Sequence, residues 1–469
     1  MKHYVNQHFT RVLLLVCIFT LGGLSQSCSR LMDKAESVIE SLKNDHGEEY
    51  PLEEGLSFDS PSITQGQYLG YQLKSLYPTL FSEGVKSVVQ TSLTGAGISS
   101  NLHSSFLPYT PAYTVYQYTI TYKTKSAKGD MIFASAAVFS PQNNDNEMPM
   151  ILYFHGTQWE DSKSVTHGRF DLKNKATTHE NEISMMILLA SEGYIVVVPD
   201  QLGFGASSGN HPYLHSSSLS QDGIDAALAA KALFTKQKFG SRFNGKLFIT
   251  GYSSGGLIAM TAHQKVETSY ASEFTFLGSA PSAGPYDLVD SQMELMLGNT
   301  KYSAPGYAPY LVESYEEIYG DVYTDSSDVY KTDYVPHISK FDGQHSDTDI
   351  NTVFPSVIKE GFKDDFVSDL QEAKTDPANP NNPPFFKHLM ANSPIYDTWS
   401  PAKKMTLLHL PSDEIVPYDN ATNAKNKLGG DVTVVDPTYG GLGTDPTADH
   451  HELGFIPCLA IIKSLIDQY

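Results

Sequence analysis

The sequence predicts an α/β fold: a mostly parallel sheet of about eight strands flanked by helices, with a mainly helical cap inserted before the last two strands. Three observations predict it. From Pro149 onward short continuous apolar runs alternate with longer helical patterns. Two alternating β-branched and aromatic runs precede them. One long interval, rich in Tyr, Asp and Pro, then interrupts the rhythm.

The alternating runs, Val115 to Lys123 and Met131 to Phe139, read as an antiparallel hairpin joined by the turn-like Ala127, Lys128, Gly129 and Asp130. The continuous runs are Met150 to Phe154, Tyr194 to Val198, Lys246 to Thr250, Phe274 to Gly278, Met405 to Leu410 and Val432 to Val435. Such runs suit strands covered on both faces by helices. Helical stretches at Ile183 to Glu192, Gln221 to Lys238 and Leu257 to Val266 separate the first four, and a terminal helical run spans Ile456 to Asp467. The interval from Tyr286 to Ser400 is too long for a structureless loop in a compact domain and reads as an inserted, partly helical cap. The domain reading is therefore a signal over 1–28, a tether over 29–60, a core over 61–285 and 401–469, and the cap over 286–400.

With 469 residues and 40% apolar content the chain can bury a large core, and its net charge of -21 repels nucleic acid and anionic membrane surfaces alike. Lys2 and Arg11 precede an apolar run from Val12 to Leu24, too short for a spanning helix, followed by Ser25, Gln26, Ser27 and Cys28. That pattern is a secretory signal and resembles a bacterial lipoprotein signal. The resemblance implies an exported protein of the periplasm or cell surface, anchored to a membrane through a lipidated Cys28, with simple cleavage nearby as the alternative. Beyond that segment only Cys458 remains, so no disulfide is expected within the mature chain, and its apolar surroundings make it a buried small hydrophobe.

The chemistry concentrates at strand ends. Gly251, Tyr252, Ser253, Ser254, Gly255 form a G-x-S-x-G pattern between an apolar strand and a helical stretch, the context in which a serine is held on a tight turn above a sheet. A serine hydroxyl needs a base, and the base an acid that orients it. Asp413 follows the seventh strand, and His450 and His451 follow the eighth, giving the chain order Ser, Asp, His. Both histidines are candidates for the base; Glu414 is a solvated loop charge on this reading. Asp449, His450, His451 and Glu452 cluster like metal ligands, but adjacent residues on one loop rarely converge on an ion, so neither metal nor cofactor is expected. Acidic residues around Asp321 to Asp328 lack the spacing of a calcium loop.

Together with Tyr153 to Thr157, Pro199 to Gly205, Ala283 to Asp287 and the D-x-x-V-P of Asp413 to Pro417, these motifs resemble the α/β-hydrolases, in particular the secretory lipase and esterase branch. The likeness covers Tyr118 to Tyr469 and implies a serine hydrolase acting on a small-molecule ester or lipid. Ser253 would be the nucleophile, Asp413 the acid and His451 the base, its spacing to Pro457 resembling the family's terminal pattern. N–H groups of Ser254 and of Thr157 or Gly156 would form the oxyanion hole. His155 would position that turn. A peptidase of the same fold, or a catalytically silent ligand-binding lipoprotein, are the alternatives.

Overall fold

The computed structural model describes residues 65, 68–77, 109–141, 146–167, 178–236, 242–437 and 450–469. The signal with Cys28, the tether and Asp449 lie outside the described residues. In chain order the elements are β1 (Tyr68–Tyr77), β2 (Val115–Lys125), β3 (Met131–Pro141), β4 (Glu147–Phe154), α1 (Thr178–Ala190), β5 (Ile195–Pro199), α2 (Ser216–Lys236), β6 (Arg242–Tyr252), α3 (Ser254–Ser269) and β7 (Thr275–Ser282). Then come α4 (Ser291–Leu297), α5 (Tyr307–Tyr319), α6 (Asp347–Asn351), α7 (Asp364–Thr375), α8 (Pro384–Ala391), β8 (Met405–Leu408), α9 (Asp419–Leu428), β9 (Val432–Val435) and α10 (His450–Ile466).

Among the described residues nine strands form one sheet, in the order β1-β2-β3-β5-β4-β6-β7-β8-β9. The first three and the β3/β5 pair are antiparallel; β5, β4, β6, β7, β8 and β9 run parallel. The hairpin turns where expected, with Lys125 opposite Met131 and Gly129 at φ 92° in the loop. β1 is one strand more than the sequence predicts. Its register on β2 shifts between Tyr68 and Gly70 and again between Leu73 and Ser75, and each shift breaks the two-residue alternation by which a strand is recognised.

The continuous apolar runs are explained by the two layers they feed. In β4, Ile151 and Tyr153 pack on the α1 and α10 side, while Met150, Leu152 and Phe154 pack on the α2 and α3 side. Each such side chain removed from water contributes about 1.5–3 kcal/mol. A polar residue on either face would be left without a partner.

The stretch between β7 and β8 carries five helices, and its apolar residues form a separate cluster with Trp159, Tyr213, Leu214, Ile415 and Val416. Rings dominate that contact. Tyr310 stacks on Tyr213 at 4.5 Å with 4° between the planes, on Trp159 at 5.0 Å and on Phe341 at 5.1 Å. Offset aromatic pairs add about 0.5–1.5 kcal/mol each beyond burial. In the acidic stretch, Asp321 pairs with His388 at 2.7 Å and Asp325 caps a short 3-10 helix.

Candidate active site

Ser253 sits between the end of β6 and the start of α3, at φ 57° and ψ -126°, a backbone conformation that L side chains rarely adopt. Packing enforces it. A Cβ on Gly251 would lie 2.3 Å from the Gly255 carbonyl oxygen, and one on Gly255 would lie 2.1 Å from that of Phe154. Only glycines let the turn close against β4, and the strained serine is thereby lifted clear of the sheet.

The loop after β8 holds Asp413 by its own backbone. Its Oδ1 accepts the N–H groups of Ile415 at 3.0 Å and Val416 at 2.8 Å, which leaves Oδ2 facing the site. Burial alone would raise this carboxyl. The charge of His451, with hydrogen bonds from His409 and His451, outweighs it and holds the group well below the usual carboxylate range. Asp413 is therefore an anion at neutral pH.

His451 lies in the first turn of α10. Its Nδ1 is 2.8 Å from Asp413 Oδ2 and its Nε2 is 2.9 Å from Ser253 Oγ. The turn that carries it is fixed on two sides. The Tyr252 hydroxyl donates to the His451 carbonyl at 2.5 Å, and Glu414 accepts the backbone N–H groups of His450 at 3.1 Å and His451 at 3.4 Å. At its far end α10 is tied to the segment after α1 by Lys463 and Glu192 at 2.9 Å. His450 faces elsewhere, with Nδ1 3.0 Å from the Ser412 carbonyl. Of the two sequence candidates, then, His451 meets Ser253 and Asp413. Glu414, read from sequence as a solvated charge, caps the helix that carries His451.

The turn after β4 approaches Ser253 from the other side. The Gly156 N–H is directed to the carboxyl of Glu182, at 3.1 and 3.3 Å from its two oxygens. Among the described residues no group accepts the N–H of Thr157 or that of Ser254 at the first position of α3. His155 is fully buried, and burial lowers its affinity for a proton; its Nδ1 faces the Gly156 carbonyl at 2.8 Å and its Nε2 the Asp200 carbonyl at 3.3 Å. Such a histidine holds a turn.

Glu182 was not visible as a site residue in the sequence, and neither was Tyr213. The first stands at the edge of the apolar run of α1, where an acid reads as the solvated end of a helix. Tyr213 comes from a loop, its hydroxyl 3.2 Å from Thr157 Oγ1.

A cleft of about 470 Å³, counting its open mouth, starts at Ser253 and Ser254. Leu214, Met296, Leu311, Ile358, Ile415 and Val416 supply most of its apolar wall, and its lining carries no charged side chain. Met296, Tyr302, Tyr307, Ala308, Leu311 and Ile358 belong to the insertion, so two parts of the chain enclose one space. Among the described residues no group of three or more His, Cys, Asp or Glu could hold a metal ion. No described helix is long and apolar enough to cross a membrane.

This combination of sheet order, serine turn and late histidine defines an α/β-hydrolase, and the chain belongs to that superfamily. Comparison with known proteins agrees. The family described as serine aminopeptidase, S33, matches residues 184–338, a third of the chain that includes Ser253 but neither Asp413 nor His451. Among solved structures, the rice cell wall degrading esterase LipA from Xanthomonas oryzae is 26% identical, with a TM-score of 0.70 over 86% of this chain and 99% of its own. A Legionella pneumophila protein, 21% identical with a TM-score of 0.69 over 86% of this chain and 99% of its own, shares the fold. So does lipase A of Candida antarctica, 16% identical with a TM-score of 0.57 over 87% and 83%. No curated protein matches.

Proposed function

We propose that the protein is an exported serine hydrolase that cleaves carboxylic esters through an acyl-enzyme. The observation that carries this reading is the single line of contacts from Ser253 Oγ through both ring nitrogens of His451 to Asp413. Ser253 Oγ attacks the ester carbonyl carbon as His451 Nε2 takes its proton, and the anionic Asp413 holds Nδ1–H and stabilises the imidazolium. The N–H groups of Thr157 and Ser254 receive the oxyanion. His451 then returns the proton to the departing alkoxide, and water repeats the sequence to release the acid and regenerate the serine.

The cleft supports an ester with an uncharged, apolar acyl or alcohol group, since its lining offers van der Waals surface and no counter-ion. The same observation weighs against an aminopeptidase, despite the description of the matching family. A substrate ammonium in a desolvated site needs a carboxylate. LipA is described as an esterase that degrades rice cell wall, and its likeness over almost its whole length supports ester chemistry here.

A fluorophosphonate probe tests the reading: it labels the protein, and labelling disappears in Ser253→Ala. Equal labelling of both proteins sinks the assignment. Nitrophenyl esters of graded acyl length, set against aminoacyl amides, separate esterase from peptidase. For export, radiolabelled palmitate is incorporated through Cys28 and lost in Cys28→Ala; a protein released without lipid supports simple cleavage instead.

A further inference from the structure

We propose that Glu182 is a positioning residue for the reaction: it takes the Gly156 N–H and so turns the next peptide, with the Thr157 N–H, toward the substrate oxygen. The inference rests on the ester-hydrolase reading given above. Gly156 stands between Glu182 and the nucleophile, and a Cβ built on it would touch Ser253 Cβ at 3.6 Å and Glu182 Oε2 at 3.7 Å. Both Glu182 oxygens lie within 3.3 Å of the Gly156 N–H, and the Tyr153 hydroxyl donates to one of them. A carboxyl only 5% exposed at this place has left water and is held by the turn and by β4.

This arrangement divides the turn's two donors. Were the Gly156 N–H unengaged, either of two neighbouring peptides could rotate toward the oxyanion, and neither would be fixed in advance. Preorganised donors act because no reorganisation is needed when charge develops. Glu182 supplies that fixing from beneath.

Its protonation state matters for the same reason. Among the described residues, the titratable groups that act on it include Tyr153 on β4, with Tyr252 on β6 and Cys458 on α10 beside that phenol, and His451 on α10. Burial pushes the Glu182 carboxyl up to about 8, against the hydrogen bonds from Tyr153 and Gly156 and the charge of His451, which pull it down. A neutral carboxyl accepts the Gly156 N–H without setting a negative charge beside the forming oxyanion. Above that pH it ionises and opposes the transition state.

The test compares wild type, Glu182→Ala and Glu182→Gln, each shown to be folded by circular dichroism, on a nitrophenyl ester from pH 6 to 9.5. Glu182→Ala is expected to lower kcat about 100-fold, with KM changed no more than about threefold, as for a misplaced reacting geometry. Glu182→Gln, which keeps an acceptor and cannot ionise, is expected to recover most of that loss and to lose the wild type's alkaline fall near pH 8. An unchanged kcat in Glu182→Ala, a Glu182→Gln enzyme as impaired as Glu182→Ala, or the same alkaline fall in both Glu182→Gln and wild type overturns the proposal. Infrared difference spectra of wild type against Glu182→Gln read the carboxyl without turnover: a protonated band that vanishes near pH 8 is expected, and its absence at pH 6 overturns the neutral-acid role. Failure of wild type to bind fluorophosphonate or turn over any ester sinks the ester-hydrolase reading instead, and the two failures are thereby told apart.

Discussion

The sheet and the insertion bury apolar surface in different ways. In β4 and β5 aliphatic and aromatic side chains alternate between two layers, and the central residues of the two strands pair in register, Met150 to Leu152 against Ile195 to Val197. The insertion is built from short helices and 3-10 turns, joined to the sheet's loops through stacked rings such as Tyr213, Tyr310 and Trp159. Ser253, Asp413 and His451 all come from the first region; Met296, Leu311 and Ile358 come from the second. Turns and a helix start braced against the rigid sheet suit groups that must meet to within a few tenths of an ångström. Short helices over a cleft suit a surface that selects among substrates, because such a segment can vary without disturbing the register of the strands.

If that division holds, changes in the sheet region alter the rate for every substrate and changes in the insertion alter the choice among them. The largest expected effect is Ser253→Ala, which removes the bond-forming atom and lowers kcat about 10⁶-fold on any ester. Steady-state kinetics with short and long nitrophenyl esters check it, and appreciable residual turnover breaks the comparison at its root. Asp413→Asn is expected next, at about 10⁴-fold in kcat with KM little changed, because Nδ1 then loses its anionic acceptor. A loss limited to KM places Asp413 outside the reaction. Leu311→Trp, on the insertion, fills the cleft. It is expected to reduce kcat/KM for the longest esters about 10-fold or more and to leave the shortest within about threefold. Equal losses at every chain length remove the insertion from specificity.

The smallest effect concerns stability and the sheet region alone. On α2, Asp225 accepts hydrogen bonds from Thr124 at 2.8 Å and from Gln65 and Gln221 at 3.0 Å each, and burial pushes its carboxyl up to about 6. A carboxyl raised on folding stabilises the fold only while protonated. Its contribution is complete below the unfolded value of about 4 and is lost as pH rises through about 6. Relative to Asp225→Asn, wild type therefore loses about 1–2 kcal/mol, a few degrees in Tm, between pH 4 and 7. Calorimetry of both proteins across that range reads it. A difference in Tm that does not vary with pH contradicts it.

Much of this was legible in the sequence because it is written in local patterns. The strands from β4 to β9 announce themselves as apolar runs, and the serine turn requires Gly251 and Gly255 at fixed offsets, since any Cβ there would meet backbone. β1 was missed because two register shifts erase its alternation. Glu182 and Glu414 were missed for a different reason. Neither has a pattern of its own, and each acquires its place only when distant segments meet: α1 against the turn after β4, and the loop after β8 against the start of α10. His450 and His451 are adjacent in the chain and could be separated only by the direction in which α10 begins.

The link from Glu414 to the first peptides of α10 has a mechanical meaning. It spans the same two segments as the Asp413 to His451 bond, so the acid and the imidazole are bolted together twice and travel as one part. Tyr252, beside the serine, ties the same turn back to β6, so the ring keeps its orientation whether its proton count is one or two.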